Sequence, residues 1–154
     1  MTNLEFFKKV AANEAVAANE TRFIYPATIM ETLGFKLIDV GPGTATVELI
    51  TDTKRHANPM GTIHGGVLCD IADAAIGIAH VTSLEQDQSF TSIDLQINFF
   101  RPFWNGRLRA IAKPVHVGRQ ISRYTCDILR EDDKLIAQVA GTVMTLTGDK
   151  ASGR

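Results

Sequence analysis

The sequence predicts an α+β fold in which a curved antiparallel sheet of six strands wraps around one long central helix, with an extra helix at the N-terminus. Three observations support this prediction. One helical run, near residues 66–81, is apolar on nearly every side, and such a helix must be buried on nearly every side. Six other segments alternate as strands do, and the links between the last four are too short for parallel crossovers.

Composition limits the class of protein. The chain has 154 residues, enough for one domain with a sizeable core, and its 45% hydrophobic and 21% charged residues are ordinary for a globular protein. A net charge of −1 gives no reason to expect a nucleic-acid partner or an anionic membrane surface. No apolar run approaches the roughly 18 residues of a membrane span, and two cysteines fit reduced thiols, so we expect a cytoplasmic protein.

We divide the chain into three parts: an N-terminal helical extension over 1–33, one domain over 34–148 and a flexible tail over 149–154. The segment "TNLE" fits a capping box in which Thr2 is the cap and Glu5 reaches back to it. A surface helix is therefore predicted over residues 2–19, followed by a connector with some helix over 21–33.

The predicted strands follow in order. "GFKLIDV", the turn "GPG" and "TATVELIT" predict a hairpin, because Ala45, Val47 and Leu49 alternate with polar residues. After the central helix come four more strand segments, "TSIDLQINFF", "RLRAIAKPVHV", "QISRYTCDILR" and "KLIAQVAGTVMTL". In the first of these, alternation predicts one apolar face and one polar face: Ile93, Leu95, Ile97 and Phe99 against Ser92, Asp94, Gln96 and Asn98.

The central helix carries two carboxylates. Asp70 and Asp73 share one face with Gly77 and His80, at positions i, i+3, i+7 and i+10. Burying an unpaired carboxylate costs several kcal/mol, so each aspartate needs a partner, a boundary or a function. Either this face meets water or another subunit through ordinary hydrogen bonds, or it takes part in chemistry.

A glycine pair opens the same helix. In His64-Gly65-Gly66 the backbone N–H groups of the first turn are free, and glycine lets a ligand approach them closely. Such donors suit a carbonyl oxygen that develops negative charge, although a glycine pair can also form a simple tight turn. Asp73 lies seven residues beyond Gly66, roughly 10 Å along the axis, and its short side chain does not span that distance. If both features serve one reaction, the aspartate comes from a second copy of the chain across a two-fold interface.

Four motifs, read in order, resemble a known family. "N-P-M-G-T-I-H-G-G", the helical "A-D-A-A", "T-S-I-D-L-Q-I-N-F-F-R-P" and "H-V-G-R" are similar to motifs of the hotdog-fold acyl-CoA thioesterases of the phenylacetate-pathway (PaaI-like) type. The resemblance covers Gly34 to Leu146 and leaves the N-terminal extension outside. It implies a homodimer with a continuous sheet, often a homotetramer of two dimers. It also implies hydrolysis of an acyl-CoA thioester to free acid and CoA, with no metal and no other cofactor.

The resemblance also implies roles for individual residues. Asp73 matches the catalytic carboxylate, which acts as nucleophile or as general base for water. Gly65 matches the glycine whose N–H polarises the thioester carbonyl, and Asn58 matches an asparagine that positions the carbonyl or the water. Ser92 falls where relatives place a hydroxyl near that water. His64 either orients the site or is purely structural.

Substrate-binding residues are expected around this centre. Gly66 allows close approach to the helix start, Phe99 is a candidate wall of the acyl pocket, and Arg119 and Arg101 are candidate contacts to CoA phosphates. For each arginine, a solvated surface charge is the simpler alternative. Asp70 matches no catalytic residue of the family.

Two other functions remain open at this point. One is a non-catalytic module that binds acyl-CoA or only assembles. The other is a hydratase or dehydratase of the same fold, which needs a carboxylate–histidine pair, and Asp73 has no obvious histidine partner in the sequence. The four histidines lack metal-ligand spacing, so no metal is predicted.

Overall fold

A computed structural model describes residues 1–152 and confirms the predicted α+β architecture. Its helices are α1 (Asn3–Ala11), α2 (Thr28–Leu33), the single turn α3 (Thr53–His56) and the central α4 (Gly65–Val81). Its strands are β1 (Phe35–Gly41), β2 (Thr44–Thr51), β3 (Ser89–Phe99), β4 (Gly106–Val117), β5 (Ile121–Arg130) and β6 (Leu135–Leu146). The six strands form one antiparallel sheet in the order β1-β2-β4-β5-β6-β3.

The central helix forms the core as its apolar composition predicts. α4 contacts all six strands, and Ile71, Ala72, Ala75 and Ile76 are fully buried. The predicted inward face of β2 is also confirmed, since Ala45, Val47 and Leu49 are at most 2% exposed. The strands therefore hold the helix by apolar packing on most of its circumference, and they leave the Asp70 side open to solvent.

The N-terminal helix is shorter than predicted. Its capping box is present, since Glu5 N–H donates to the Thr2 hydroxyl and Thr2 N–H donates to the Glu5 carboxylate, but the helix ends at Ala11 instead of residue 19. Phe6 and Phe7 bury the first two turns. The sequence that follows offers no comparable apolar face, and helices of this length depend on packing more than on propensity. In the connector, α2 confirms the predicted helical content.

A short 3-10 turn lies at the start of the predicted C-terminal tail over residues 149–154. Residues 148–151 form a 3-10 turn in which Ala151 is buried. The Ala151 carbonyl accepts a hydrogen bond of 2.9 Å from the Arg22 guanidinium, which ties the turn to the N-terminal extension. Residues 153 and 154 lie outside the described residues.

A bulge in β3 changes which side chains face the helix. The β3–β6 register shifts between Ser92 and Asp94, so Ile93 is the extra residue. Strict alternation predicts Ser92 on the face opposite Leu95 and Phe99, and this prediction is wrong. Because the bulge reverses the alternation, Ser92 lies on the helix side, within hydrogen-bonding distance of Asp73 on α4. Leu95 and Phe99 also lie on the helix side.

The same strand forms an open edge of the sheet. Within residues 1–152, no strand pairs with the outer edge of β3, although the strand is 11 residues long. Ile93 is 51% exposed and Phe99 is 56% exposed. A long edge with exposed apolar side chains is a template for pairing with another strand.

A buried polar cluster lies at the end of α4. His80 is 2% exposed; its Nδ1 lies 3.1 Å from the Tyr124 hydroxyl and its Nε2 lies 3.0 Å from the Thr145 hydroxyl. Burial lowers the pKa of His80 from 6.5 to about 4, because the charged imidazolium would lose its hydration. The ring is therefore neutral in the folded protein at pH 7.

This cluster predicts a pH-dependent stability. Below pH 6.5 the unfolded chain takes up a proton at His80, whereas the folded chain does so only below about pH 4. The contribution of His80 to the stability is therefore fully present above pH 6.5 and is lost as the pH falls toward 4. The free energy of unfolding should drop by up to about 3 kcal/mol across that window. Urea denaturation at pH 7, 6 and 5 measures it, and His80→Gln, which does not titrate, should flatten the slope. An equal slope in both proteins would contradict the assignment.

Candidate functional site

The start of α4 presents one free backbone donor. His64 is the N-cap, and its Nδ1 accepts a hydrogen bond of 2.9 Å from the Gly66 N–H. With Nδ1 as the acceptor, Nε2 carries the proton of the neutral ring. None of the hydrogen bonds among residues 1–152 uses the Gly65 N–H. The capping histidine thus binds one glycine N–H and leaves the other for a ligand at the positive end of the helix dipole.

The loop before this helix is held by Asn58. The Asn58 side-chain oxygen accepts from the N–H groups of Met60 and Thr62, and its Nδ2 donates to the Thr62 hydroxyl at 2.7 Å. An amide nitrogen carries two protons, so one N–H remains beyond the bond to Thr62. The loop is further fixed by the Ile63 N–H, which donates to the Phe103 carbonyl. Asn58 therefore shapes the loop and keeps one donor.

A first groove is lined by Gly65 at the start of α4. Its volume is about 420 Å³, and its walls include Asn58, Gly65, Phe99 and Arg101. The Phe99 ring lies directly on Gly65, where a Cβ atom would come within 2.7 Å of Phe99 Cζ. Arg101 donates to the Leu135 carbonyl at 2.7 Å, which holds its guanidinium at the rim. We call this space the helix-start groove.

A second groove contains the aspartates. Its volume is about 240 Å³, and Asp70, Asp73 and Ser92 lie on its wall. The Ser92 hydroxyl donates to Asp73 Oδ1 at 2.9 Å, which fixes the orientation of the carboxylate and leaves Oδ2 without that bond. We call this space the Asp73 groove.

The two aspartates shape the local electrostatics. Burial raises the pKa of Asp70, and the negative charge of Asp73 raises it further. Burial likewise raises the pKa of the Cys69 thiol, with added effects from both carboxylates. Cys69 is thus a neutral thiol at pH 7 and not a nucleophile. Asp70 and Asp73 lie one helical turn apart, so they concentrate negative charge at one end of the groove.

Within one protomer the predicted residues form two groups. Asn58, Gly65, Phe99 and Arg101 share the helix-start groove, and His64 caps the helix beside it. Asp73 and Ser92 share the other groove, and Asp73 lies eight residues from Gly65, roughly 12 Å along the helix. The grooves are separate, as the spacing of the sequence implies.

Arg119 joins neither group. It is exposed in the turn between β4 and β5. The preceding part of β4 lies near the end of α4, because Pro114 and Ser83 both flank Gly43 and the Gly43 N–H donates to the Thr82 hydroxyl. Arg119 therefore lies toward the C-terminal end of α4, whereas Gly65 lies at its start. The helix has 17 residues and is about 25 Å long.

Sequence reasoning missed the N-terminal side of the Asp73 groove. Phe7, Phe23, Tyr25 and Met30 line it, together with Phe90 of β3. The sequence does show a cluster of large apolar residues in the connector. Their spacing follows no helix or strand repeat, so the sequence does not indicate that they line a groove.

Two further features bear on the class of site. Among the described residues, no group of three or more His, Cys, Asp or Glu side chains is placed to hold a metal ion. No helix in the same part of the chain is long and apolar enough to cross a membrane.

Comparisons with known proteins give the family of the chain. Residues 60–137 match the model of the Thioesterase superfamily. The chain is 30% identical to a 1,4-dihydroxy-2-naphthoyl-CoA hydrolase of Listeria monocytogenes over 70% of this chain and 87% of that protein.

Among solved structures, a mutant of the phenylacetic acid degradation protein PaaI from Thermus thermophilus is 32% identical with a TM-score of 0.70, covering 77% of this chain and 98% of that one. A thioesterase from Haemophilus influenzae is 25% identical with a TM-score of 0.75, over 86% and 92% of the two chains. The fold and the family match agree, and the chain belongs to the hotdog-fold Thioesterase superfamily of hydrolases.

Proposed function

We propose that this protein hydrolyses acyl-CoA thioesters to the free acid and CoA at a site shared by two subunits. The observation that carries the proposal is Gly65 at the start of α4, which lines the helix-start groove and whose N–H has no protein acceptor among residues 1–152. An N–H in this position stabilises the negative charge that grows on a thioester oxygen during attack.

Asp73 supplies the second half of the reaction. Its carboxylate either attacks the acyl carbon, giving an anhydride that water then cleaves, or takes a proton from the water that attacks. In both cases the C–S bond breaks, CoA leaves as the thiol after protonation, and one water oxygen ends in the acid. Ser92 holds Oδ1 of Asp73, so Oδ2 is the atom we assign to the reaction.

A dimer through β3 would bring the two halves together. A two-fold axis pairs the open β3 edges antiparallel, so the Phe99 end of one strand lies opposite the Ser92 end of its partner. Phe99 covers Gly65, and Ser92 holds Asp73. The pairing therefore moves the helix-start groove of one protomer toward the Asp73 groove of the other. We propose this homodimer, with a homotetramer of two dimers as its further assembly.

The same pairing suggests how CoA binds. Because the two-fold axis makes the α4 helices of the two protomers run in opposite directions, the Arg119 end of one protomer would lie toward the Gly65 end of its partner. Arg101 lies at the rim of the groove at that end. Two cations flanking one groove suit the phosphates of CoA. The Listeria relative is named as a CoA-thioester hydrolase, which favours the same substrate class.

Free thiols at Cys69 and Cys126 fit a reducing cytoplasm.

The alternatives predict different chemistry. A hydratase would add water across a carbon–carbon double bond and leave the thioester intact, and within one protomer the side-chain partner of Asp73 is Ser92 and not a histidine. A non-catalytic module would bind acyl-CoA and release nothing.

The direct test is thiol release. Purified protein is offered acetyl-, butyryl-, octanoyl-, benzoyl- and phenylacetyl-CoA, and free CoA is measured with a thiol reagent. We expect turnover of at least one ester at a kcat of about 1 s⁻¹ or more, within the usual range of enzymes. Binding of these esters by calorimetry without release of CoA would support the non-catalytic module instead.

A further inference from the structure

The Asp73 groove extends well beyond the reactive carboxylate. Its floor is one stripe of α4, on which Ala74, Gly77, Ile78 and Val81 follow Asp73. These residues lie at the spacing of a single helix face. The stripe runs eight residues past Asp73, about 12 Å along the axis. The floor is apolar throughout, and its only charges lie at the Asp73 end.

The opposite wall belongs to the N-terminal extension. Phe23, Ile24 and Tyr25 come from the connector, and Phe7 comes from α1. Three aromatic rings fix this wall, since Phe7 packs edge-on against Phe6 and Tyr25. The ring centroids are 5.2 Å apart in the first pair and 5.4 Å apart in the second.

The connector is also anchored to the domain. Arg22 donates to the Gln88 carbonyl at 3.1 Å and to the Ala151 carbonyl at 2.9 Å. The Asn3 side chain donates to the Leu84 carbonyl in a buried bond of 3.1 Å. The wall is therefore a built part of the fold, held from both ends.

The size and shape of this groove select a kind of ligand. Its volume of about 240 Å³ is below the roughly 300–1,000 Å³ of sites that hold whole small molecules, so it takes only part of a substrate. An extended chain advances about 1.2 Å per bond, so 12 Å corresponds to about ten bonds. The groove is thus long, narrow and apolar, with a carboxylate at one end.

We infer that this groove binds the hydrocarbon chain of a medium-chain acyl thioester of about eight to ten carbons, with the N-terminal extension as the wall that sets chain length. This inference rests on the proposed function, because the acyl carbon must lie at Asp73 for the chain to enter the groove. The apolar floor and aromatic wall then bury successive methylene groups. The CoA portion stays outside, on the side of the helix-start groove.

The test is a chain-length series of saturated acyl-CoAs from C2 to C16. Each buried methylene should raise kcat/KM about twofold to fourfold up to C8 or C10, with no further gain beyond. Ile24 is 85% exposed, so replacing it leaves the core intact. Ile24→Asp places a charge in the wall and should lower kcat/KM for octanoyl-CoA about tenfold, with acetyl-CoA unchanged within twofold. Ile50→Asp, at another exposed isoleucine that lies in β2 outside both grooves, is the matched control and should keep the wild-type profile.

Other outcomes would overturn this inference in distinguishable ways. Turnover with a flat chain-length profile, or a preference for benzoyl-CoA that Ile24→Asp does not change, would leave the thioesterase standing and remove the chain-length wall. If Ile24→Asp dissociates the dimer in light scattering and slows all esters alike, the groove belongs to a second copy of the chain. No release from any acyl-CoA would refute the proposed function itself.

Discussion

Replacing Asp73 by asparagine should lower kcat by about 10³-fold, with only a small change in KM, since positioned general bases typically contribute 10²–10⁴. Asparagine keeps the shape of the side chain and can still accept the hydrogen bond from Ser92, but it neither attacks a thioester nor takes a proton from water. Steady-state thiol release on the best substrate of the acyl-CoA panel measures the effect. A loss confined to KM would mean that Asp73 only binds substrate.

Asp70→Asn is the matched control for this prediction. Asp70 lies on the same helix face, one turn before Asp73, and lines the same groove, but the Ser92 hydroxyl bonds Asp73 instead. We expect only a small effect on kcat from this variant. If the two variants lose activity equally, a general effect of negative charge in the groove replaces the assignment to Asp73. Thermal unfolding of both proteins separates loss of activity from loss of fold.

The architecture followed from the sequence because it depends on pattern. An apolar helix needs cover on every side, and six alternating segments with short links supply it as an antiparallel sheet. The separation of Gly65 from Asp73 followed in the same way, because the helical rise fixes it. Both inferences use regular repeats of helices and strands, namely the rise per residue and the spacing of apolar side chains, which hold along a whole element.

Features that depend on a single residue did not follow. The β3 bulge adds Ile93 without a compositional signal, and it moves Ser92 to the face that alternation assigns to its neighbours. The wall built by Phe23 and Tyr25 depends on how an irregular connector folds back over α4. The end of α1 at Ala11 is set by where packing stops and not by helix propensity.

The free donor of Gly65 can be removed without altering the helix. Gly65 is the first residue of α4, the position where proline is best tolerated, and His64 already has φ −64° and ψ 134°, as the residue before a proline requires. Gly65→Pro deletes the N–H and adds a side chain that meets Phe99. Gly65→Ala adds the same Cβ contact and keeps the N–H. The proline variant should lose about 10²–10³ in kcat beyond the alanine variant.

Mixing Gly65→Pro chains with Asp73→Asn chains tests whether two subunits share each site. Each homodimer is inactive, but a hybrid dimer has one site with an intact Gly65 from one chain and an intact Asp73 from the other. In an equal mixture half the dimers are hybrids with one working site of two, so activity should return to about a quarter of the wild-type level. Refolding the two chains together under different affinity tags isolates the hybrids. An isolated hybrid that stays inactive would place Gly65 and Asp73 of the same chain in one site, and it would require α4 to bend or the substrate to bridge about 12 Å.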